Sequence, residues 1–216
     1  MHNLEKDAIM MARKQRKLME TGYSFFSERT IDAVSMNEIA RESGVAISTM
    51  YRYYENKLEF AAAISAWKWR ECWEAVQTRL EQNEEKYTAV QEYSFFLNTF
   101  VDIYQKSPDI LRFNQYLNIY ANAAARKLKP GNPFSELVEE LADRFRLIWV
   151  KAERDGTLRT DVSWSEVFSA SLHIMMAAVT RYAVGLLYQS PEGMDPVSEL
   201  ELLKNLLLNR FAAPQR

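Results

Sequence analysis

The sequence has few of the residues that interrupt helices and few of those that build metal or redox centres. It contains six glycines, six prolines, one cysteine (Cys72) and two histidines (His2 and His173). Runs of alternating Val, Ile and Thr are missing, so strands are not expected. One cysteine excludes a disulfide within the chain, and the small supply of His and Cys disfavours a zinc site. These absences predict an all-α protein without a bound metal.

Signatures of enzymes are missing as well. There is no Gly-rich phosphate loop and no Gly-x-Ser-x-Gly turn. Adjacent carboxylates such as Glu139 and Glu140 fall on an outer helical face. His173 lies beside Met175 and Met176, a setting typical of a core or pocket histidine rather than of a catalytic base. We therefore expect a protein that is not an enzyme and needs no cofactor.

Charge and hydropathy bear on location and partners. A formal net charge of −2 argues against general coating of nucleic acid but allows a local basic patch. The N-terminus has no apolar core of signal-peptide length. The most hydrophobic stretch, residues 172–188, contains Arg181 and is too short to span a bilayer. A cytoplasmic protein with no membrane partner is expected.

Residues 35–57 predict two helices joined by a tight turn. Ser35 followed by Glu38 has the spacing of a capping box, and Met36, Ile39 and Ala40 then share one helical face. Gly44 stands where the chain must leave this helix, and glycine enters the left-handed region without steric cost. A second helix over residues 46–54 would bury Val45, Met50 and Tyr54 together. The pattern is that of a helix-turn-helix.

The outer face of the second helix indicates a ligand. Hydroxyls, phenols and an arginine are groups that donate to phosphates and base edges, and Lys57 adds a cation at the start of the next helix. The predicted DNA-binding residues are Ile47, Ser48, Thr49, Tyr51, Arg52, Tyr53 and Lys57. A plain helical hairpin with a solvated face is the alternative.

Over residues 10–65 the chain resembles the N-terminal DNA-binding domain of the TetR family of bacterial transcriptional repressors. The resemblance is carried at the family's spacing by Phe26, Ile39, Ala40, Gly44, Val45, Thr49, Met50, Tyr51, Tyr53, Tyr54 and Lys57. Thr30 replaces the usual glycine after the first helix, and Ala46 replaces the frequent serine cap of the recognition helix. Beyond residue 65 only the helical layout is similar.

The resemblance implies two domains with different functions. We expect a three-helix DNA-binding domain over residues 1–57, whose first helix spans residues 8–29, and a helical effector-binding and dimerisation domain over residues 58–216. A long helix over residues 57–84 would link the two and transmit effector occupancy. The expected total is about nine helices. Arg13, Lys14, Arg16 and Lys17 in the first helix either reach DNA phosphates or form a solvated helix end.

Capping and proline signals place the remaining helices. Two helices over residues 88–126 break at Ser107-Pro108. A third follows Asn132-Pro133 and runs to Gly156. The last two are a capped helix over residues 163–188 and, after a loop over residues 189–194, a helix that begins at Asp195-Pro196.

Aromatic residues and methionines are abundant in this second region and suggest an apolar cavity with phenols to orient a guest. The predicted effector pocket comprises Trp67, Phe100, Tyr104, Phe113, Tyr116, Tyr120, Trp149, His173 and Met176. Ordinary core packing is the alternative for each of them.

The last two helices are apolar over a wide arc and must be covered. In the family resembled, two such helices form a four-helix dimer interface, here assigned to Leu172, Val179, Leu200, Leu203, Leu207 and Phe211. A two-fold dimer would read half-sites about one turn of DNA apart, roughly 34–36 Å, or a multiple of that.

The sequence and the resemblance together predict a homodimeric repressor that binds a palindromic operator. Arg52 and Thr49 would lie nearest base edges, with Tyr51, Tyr53 and Lys57 mainly on phosphates. A small apolar or aromatic effector would release the DNA. The alternatives are an activator and a helical adaptor that has lost DNA binding.

Overall fold

A computed structural model describes residues 2–81, 86–123, 128–186 and 195–214. The described residues form nine α-helices and confirm the all-α prediction. They are α1 (His2–Glu28), α2 (Met36–Ser43), α3 (Ile47–Tyr53), α4 (Lys57–Glu81), α5 (Ala89–Lys106), α6 (Pro108–Ala123), α7 (Pro133–Asp155), α8 (Trp164–Val184) and α9 (Pro196–Phe211).

The helix boundaries follow the predicted caps closely. Ser163 opens α8 with a complete capping box, and at the start of α5 the Gln91 side chain accepts from the Thr88 amide at 2.8 Å. Asn132 and Asp195 cap α7 and α9 through their side chains. The starts of these four helices were therefore predicted correctly.

Two helix boundaries differ from the prediction, and others cannot be compared. Helix α1 begins at His2 rather than at residue 8, and α8 ends at Val184, before Gly185, rather than near residue 188. The predicted helix ends at residues 84 and 126 and the loop at 189–194 lie outside the described residues.

The chain divides into two compact units. Unit 1 comprises Met1–Lys68 and Arg112–Ser135, and unit 2 comprises Trp69–Leu111 and Glu136–Arg216. This division differs from the expected one at residue 57 because most of α6 packs with the N-terminal helices. The assignment of domain functions to residues 1–57 and 58–216 stays a prediction.

Unit 1 is built around a buried aromatic cluster. Phe26 of α1 stacks on Phe113 of α6 with ring centroids 6.1 Å apart, and it also meets Phe60 of α4 edge to face. The buried hydroxyl of Ser65 donates to Asn114 at 3.1 Å and ties α4 to α6. The N-terminal helices of unit 1 thus share their core with the second half of α6.

Gly22 fixes how closely α1 approaches α4. A Cβ added at this buried glycine would lie 2.6 Å from the Phe60 ring and 2.7 Å from Ile64. Both distances are shorter than any ordinary van der Waals contact, so a larger residue here would separate the two helices.

Unit 2 packs α5 against α8 and α9. Its core contains Tyr93, whose hydroxyl lies 2.7 Å from that of Ser171 on α8. Burial raises the pKa of Tyr93 to about 12. The carboxylate of Asp155, at the end of α7, accepts from the Ala89 amide at 2.7 Å and so satisfies an orphan donor at the start of α5.

By length and composition, α8 meets the criteria for a membrane-spanning helix, and 28% of its most apolar window is buried within the chain. The apolar stretch therefore begins before residue 172, the start of the stretch 172–188 that was expected to be too short to span a bilayer. The helix packs on α5 and α9, and apolar core helices of globular proteins meet the same criteria.

Candidate nucleic-acid interface

The helix-turn-helix forms where it was predicted. The Ser35 hydroxyl accepts from the Glu38 amide at 3.1 Å, and the Glu38 carboxylate binds Arg29 at 2.7 Å. The hydrogen bond from Arg29 lowers the pKa of Glu38. Gly44 adopts a φ of 67° and ends α2, after which the Val45 amide donates to Ala40 at 3.0 Å. The left-handed glycine lets α3 start within three residues.

Helix α3 is held in place from below. Met50 is fully buried beneath it, and Tyr54, directly after the helix, is 7% exposed. Gln15 of α1 donates to the Tyr54 hydroxyl at 3.1 Å. Burial raises the pKa of Tyr54, against the opposing effect of this hydrogen bond. As expected, Ala46 supplies no side-chain cap to the start of α3.

The outer surface of α3 presents polar side chains. Ser48, Tyr51 and Arg52 are exposed, and Tyr51 shows 51% of its surface. Ile47 and Thr49 are half-buried beside them. These five predicted residues therefore lie along one short helix whose opposite side is anchored by Met50. A hydroxyl, a phenol and a guanidinium on an anchored helix can donate to phosphates and to base edges.

Tyr53 differs from its neighbours on α3. Its side chain is half-buried, and the guanidinium carbon of Arg52 lies 5.5 Å from the centre of its ring. Its hydroxyl is buried, with no hydrogen-bond partner in the described part of the chain. A phosphate contact from Tyr53 would require this hydroxyl to become accessible, which sequence reasoning did not anticipate.

Lys57 points into the protein rather than outward. Its ammonium donates to the carbonyls of Ile31 at 2.8 Å and Val34 at 3.0 Å, and it lies 5.0 Å from the ring centre of Tyr120 on α6. In this arrangement Lys57 holds the connection between α1 and α2. The predicted phosphate contact stays a prediction. The structural role could not be predicted from the sequence, because the two carbonyls are distant from Lys57 in the chain.

The loop after α6 also reaches the recognition element. Lys129 forms an ion pair with Glu55, two residues after α3, and hydrogen bonding to Glu55 raises the pKa of Lys129. The sequence offers no signal for this pair, because 74 residues separate its partners.

The predicted effector-pocket residues fall into two separate hydrophobic clusters. Trp67, Phe113, Tyr116 and Tyr120 belong to the cluster of unit 1, whereas Phe100, Tyr104, Trp149 and Met176 belong to that of unit 2. Phe100, Phe113, Tyr120 and Trp149 are each at most 5% exposed. These four pack as core within their units, as in the alternative interpretation, and the assignment of an effector pocket stays a prediction.

His173 does not occupy the expected core or pocket position. It is exposed on α8, where its Nδ1 lies 3.3 Å from the Ser169 hydroxyl one turn earlier. Met175, two residues on, is fully buried. The two side chains point in different directions because successive helical residues are about 100° apart.

Unit 2 contains an open groove of about 760 Å³. It is lined by Trp73 of α4 and by α7 residues that include Glu140, Asp143, Arg144 and Leu147. None of the predicted pocket residues lines it, and its walls carry more charge than the apolar cavity that we expected.

The predicted dimer-interface residues are mostly internal. Val179, Leu200, Leu207 and Phe211 are buried in the core of unit 2, and Leu172 and Leu203 are half-buried. The large apolar residues left exposed on these helices are Ile174 (42%), Val184 (47%), Leu202 (53%) and Leu206 (57%). A helix that is apolar all round does not reveal from its sequence which side meets its own core.

No group of three or more His, Cys, Asp or Glu side chains that could hold a metal ion occurs among the described residues.

Comparison with known proteins agrees with the geometry of unit 1. Residues 18–64 match the family of bacterial regulatory proteins described as the tetR family. An HTH-type transcriptional regulator of Staphylococcus aureus is 33% identical over 54 residues. That match covers 25% of this chain and 28% of the Staphylococcus protein, so the chain matches less than a third of this relative's length.

Solved structures extend the likeness to the whole fold. The fatty acid degradation regulator FadR of Bacillus halodurans gives a TM-score of 0.68 at 14% identity, over 90% of this chain and 94% of that one. The transcriptional regulator FadR of Bacillus subtilis, solved in complex with stearoyl-CoA, gives 0.62 at 15% identity, over 89% and 97%.

The family match covers the anchored helix-turn-helix, and regulators of similar architecture cover nearly all of the chain. Residues 18–64 therefore carry the helix-turn-helix of the tetR family of bacterial regulatory proteins, and the chain as a whole shares the fold of the two Bacillus regulators.

Proposed function

We propose that the protein is a homodimeric repressor that binds a palindromic operator through α3 and is released by a small, largely apolar effector. The observation that carries this proposal is the polar outer surface of α3. Ser48, Tyr51 and Arg52 are exposed on a helix that Met50 anchors from the opposite side. An exposed helix that contacts only solvent does not require this combination of a hydroxyl, a phenol and a guanidinium.

The roles on DNA follow from reach and chemistry. Arg52 and Thr49 are assigned to base edges, since a guanidinium makes bidentate contacts with guanine and a hydroxyl contacts either base of a pair. Tyr51 and Ser48 are assigned to phosphates, and Ile47 to apolar contact in the groove. Lys57 and Tyr53 are assigned to the support of α3, because the first holds backbone carbonyls and the second has a buried hydroxyl.

The proposed dimer uses the uncovered side of α8 and α9. Ile174, Leu202 and Leu206 are large apolar residues with 42–57% of their surface exposed, and covering such residues favours association. A two-fold pairing of these helices would place two copies of α3 on one operator.

Dimerisation can be tested independently of DNA. Changing both Leu202 and Leu206 to Glu should convert the dimer to a monomer in sedimentation analysis. Leu147→Glu is the matched control, because Leu147 is a similarly exposed leucine of unit 2, 59% exposed, on α7. A dimer that survives the double change, or one that is lost in the control as well, contradicts the proposed interface.

The proposal of a largely apolar effector is supported by a solved structure of similar fold rather than by the packed aromatic residues of α5 and α6. The structure of the Bacillus subtilis regulator holds stearoyl-CoA, so long-chain acyl thioesters are the first class to test here. An effector lowers DNA occupancy only if it binds the DNA-incompetent state more tightly than the competent one.

The proposed function is tested by binding to duplexes selected from random sequence, with wild type compared to Tyr51→Ala. Saturable binding that weakens with salt, and a loss of roughly tenfold or more in the mutant, would support it. Leu147→Ala should bind as wild type does. Equal binding by wild type and Tyr51→Ala would contradict the assignment of α3 as the reading element.

A further inference from the structure

We infer that Arg13, Lys14 and Lys17 on α1 form a second DNA contact, to the phosphate backbone beside the groove that α3 occupies. The family match begins at residue 18, so these three residues lie outside it. The inference rests on the proposed function, because it assumes that α3 enters a groove. The inferred contact involves α1 and the phosphate backbone, whereas the proposed function involves α3 and the groove.

The three cations are available for an external anion. All are exposed, and within the described part of the chain none of them forms an ion pair or a hydrogen bond through its side chain. Arg16, in the same segment, differs because it is paired with Glu20 at 2.9 Å. Three cations without a carboxylate partner within five residues concentrate positive charge on this part of α1, where a polyanion can bind.

The structure places this segment of α1 alongside the recognition helix. The ammonium of Lys17 lies 3.8 Å from the position that a Cβ on Gly44 would occupy, in the turn that leads into α3. Gln15 donates to the hydroxyl of Tyr54, directly after α3. The segment therefore lies close to the turn before α3 and is hydrogen-bonded to the residue directly after it, so its position is tied to that of α3.

Helical spacing aligns the cations with one another. Lys14 is three residues before Lys17 and Arg13 is four residues before it, so all three lie on neighbouring positions of one helical surface. Because Lys17 lies beside the turn that precedes α3, this cationic surface lies next to that turn. A row of cations there faces the same ligand as the start of the recognition helix.

Duplex DNA fits this row better than a small anion does. Its backbone carries one charge per ~1.7 Å of axis, so cations one helical turn apart can each find a phosphate. Contacts to phosphates add affinity and fix orientation without reading sequence. A recognition helix of seven residues makes few base contacts and would gain from such positioning.

The test compares salt dependence between two triple variants of the full-length protein. Arg13→Gln, Lys14→Gln and Lys17→Gln remove the row, while the control changes Arg16, Lys106 and Arg159 to Gln. Each control residue is already paired with a carboxylate, namely Glu20, Asp102 and Asp161. Both variants lose three positive charges, so the change in net charge is matched.

Two duplexes are used, one selected by wild type from random sequence and one unrelated. On both, the slope of log affinity against log salt should become shallower by about 0.9 per lost contact, about 2.7 per protomer, in the row variant only. Equal slopes for the row variant and the control would overturn the inference. A variant that replaces Lys14 and Lys17 with Arg should restore the wild-type slope, and failure to do so would also count against it.

Failure of the proposed function gives a different result. If wild type selects no sequence at all, the repressor proposal fails, but the slopes on the unrelated duplex still decide whether the row binds phosphates. A change in thermal unfolding of the row variant is not expected, because its three side chains are exposed and make no contacts that folding requires.

Discussion

The two units of this protein are stabilised in different ways. Unit 1 depends on a few positions with strict local requirements, such as Gly22 between α1 and α4, Gly44 after α2, and Lys57 within reach of two carbonyls. Unit 2 depends on broad apolar faces of long helices, ordered by caps such as Thr88 and Ser163. A surface that must match DNA requires defined positions, whereas a helical core accepts many packings.

The largest expected effect is the loss of the anchor beneath α3. Met50→Ala should reduce the free energy of unfolding by about 2–5 kcal/mol, since Met50 is fully buried and truncation leaves a cavity. Ser48→Ala, on the exposed side of the same helix, should change it by less than about 0.5 kcal/mol. Urea unfolding of both variants checks the contrast. Similar stability of the two would contradict the assignment of inner and outer sides to α3.

The next effect concerns Lys57. Lys57→Gln should destabilise the protein by about 2 kcal/mol in the absence of DNA, because a charged donor to the carbonyls of Ile31 and Val34 is lost. A lysine that only bound phosphate would leave the stability of the free protein unchanged. Thermal unfolding without DNA decides between the two, with Lys106→Gln as a control for the lost charge.

Gly22 gives a further test of close packing in unit 1. Gly22→Ala should cost about 1–3 kcal/mol, because the added methyl would overlap the Phe60 ring and Ile64. Gly131 is a useful comparison. An added Cβ there would have no atom of the described residues within 4 Å, but Gly131 adopts a φ of 69°, so Gly131→Ala introduces backbone strain without overlap. Calorimetry measures both. A neutral Gly22→Ala would show that α1 and α4 can separate without loss.

The smallest effect is expected in unit 2. Burial opposes ionisation of Asp155, but hydrogen bonds from Ala89 and Thr157 outweigh it and lower its pKa. A lowered pKa stabilises the fold above the ordinary Asp pKa, and that contribution is lost as pH falls through the folded value. Asp155→Ala should therefore cost about 1 kcal/mol at pH 7 and progressively less towards acid. Urea midpoints across this pH range test it, and a cost that does not depend on pH would contradict the assignment.

The sequence predicted unit 1 in more detail than unit 2 for a physical reason. A cap at Ser35, a left-handed glycine at Gly44 and a buried Met50 are local signals that specify a turn and two helix faces within twenty residues. The starts of α5, α7, α8 and α9 followed from equally local caps.

What the sequence could not specify were contacts between distant residues and the choice between two apolar sides. Leu200 and Leu207 were assigned to an interface, yet they pack in the chain's own core, while Leu202 and Leu206 are exposed. Lys57 was assigned to phosphates, yet its nearest partners are carbonyls 23 and 26 residues away. The buried side of α9 and the partners of Lys57 both depend on tertiary packing, which the hydrophobic periodicity of a sequence does not specify.

Whether unit 1 reads DNA through the outer surface of α3 is best decided by selecting duplexes from random sequence with wild type and with Arg52→Ala. We expect an inverted repeat for wild type, with half-sites about one helical turn apart or a multiple of it, and loss of preference at one symmetric base pair in the variant. Enrichment of the same sequence by both proteins, or of none by wild type, would contradict it.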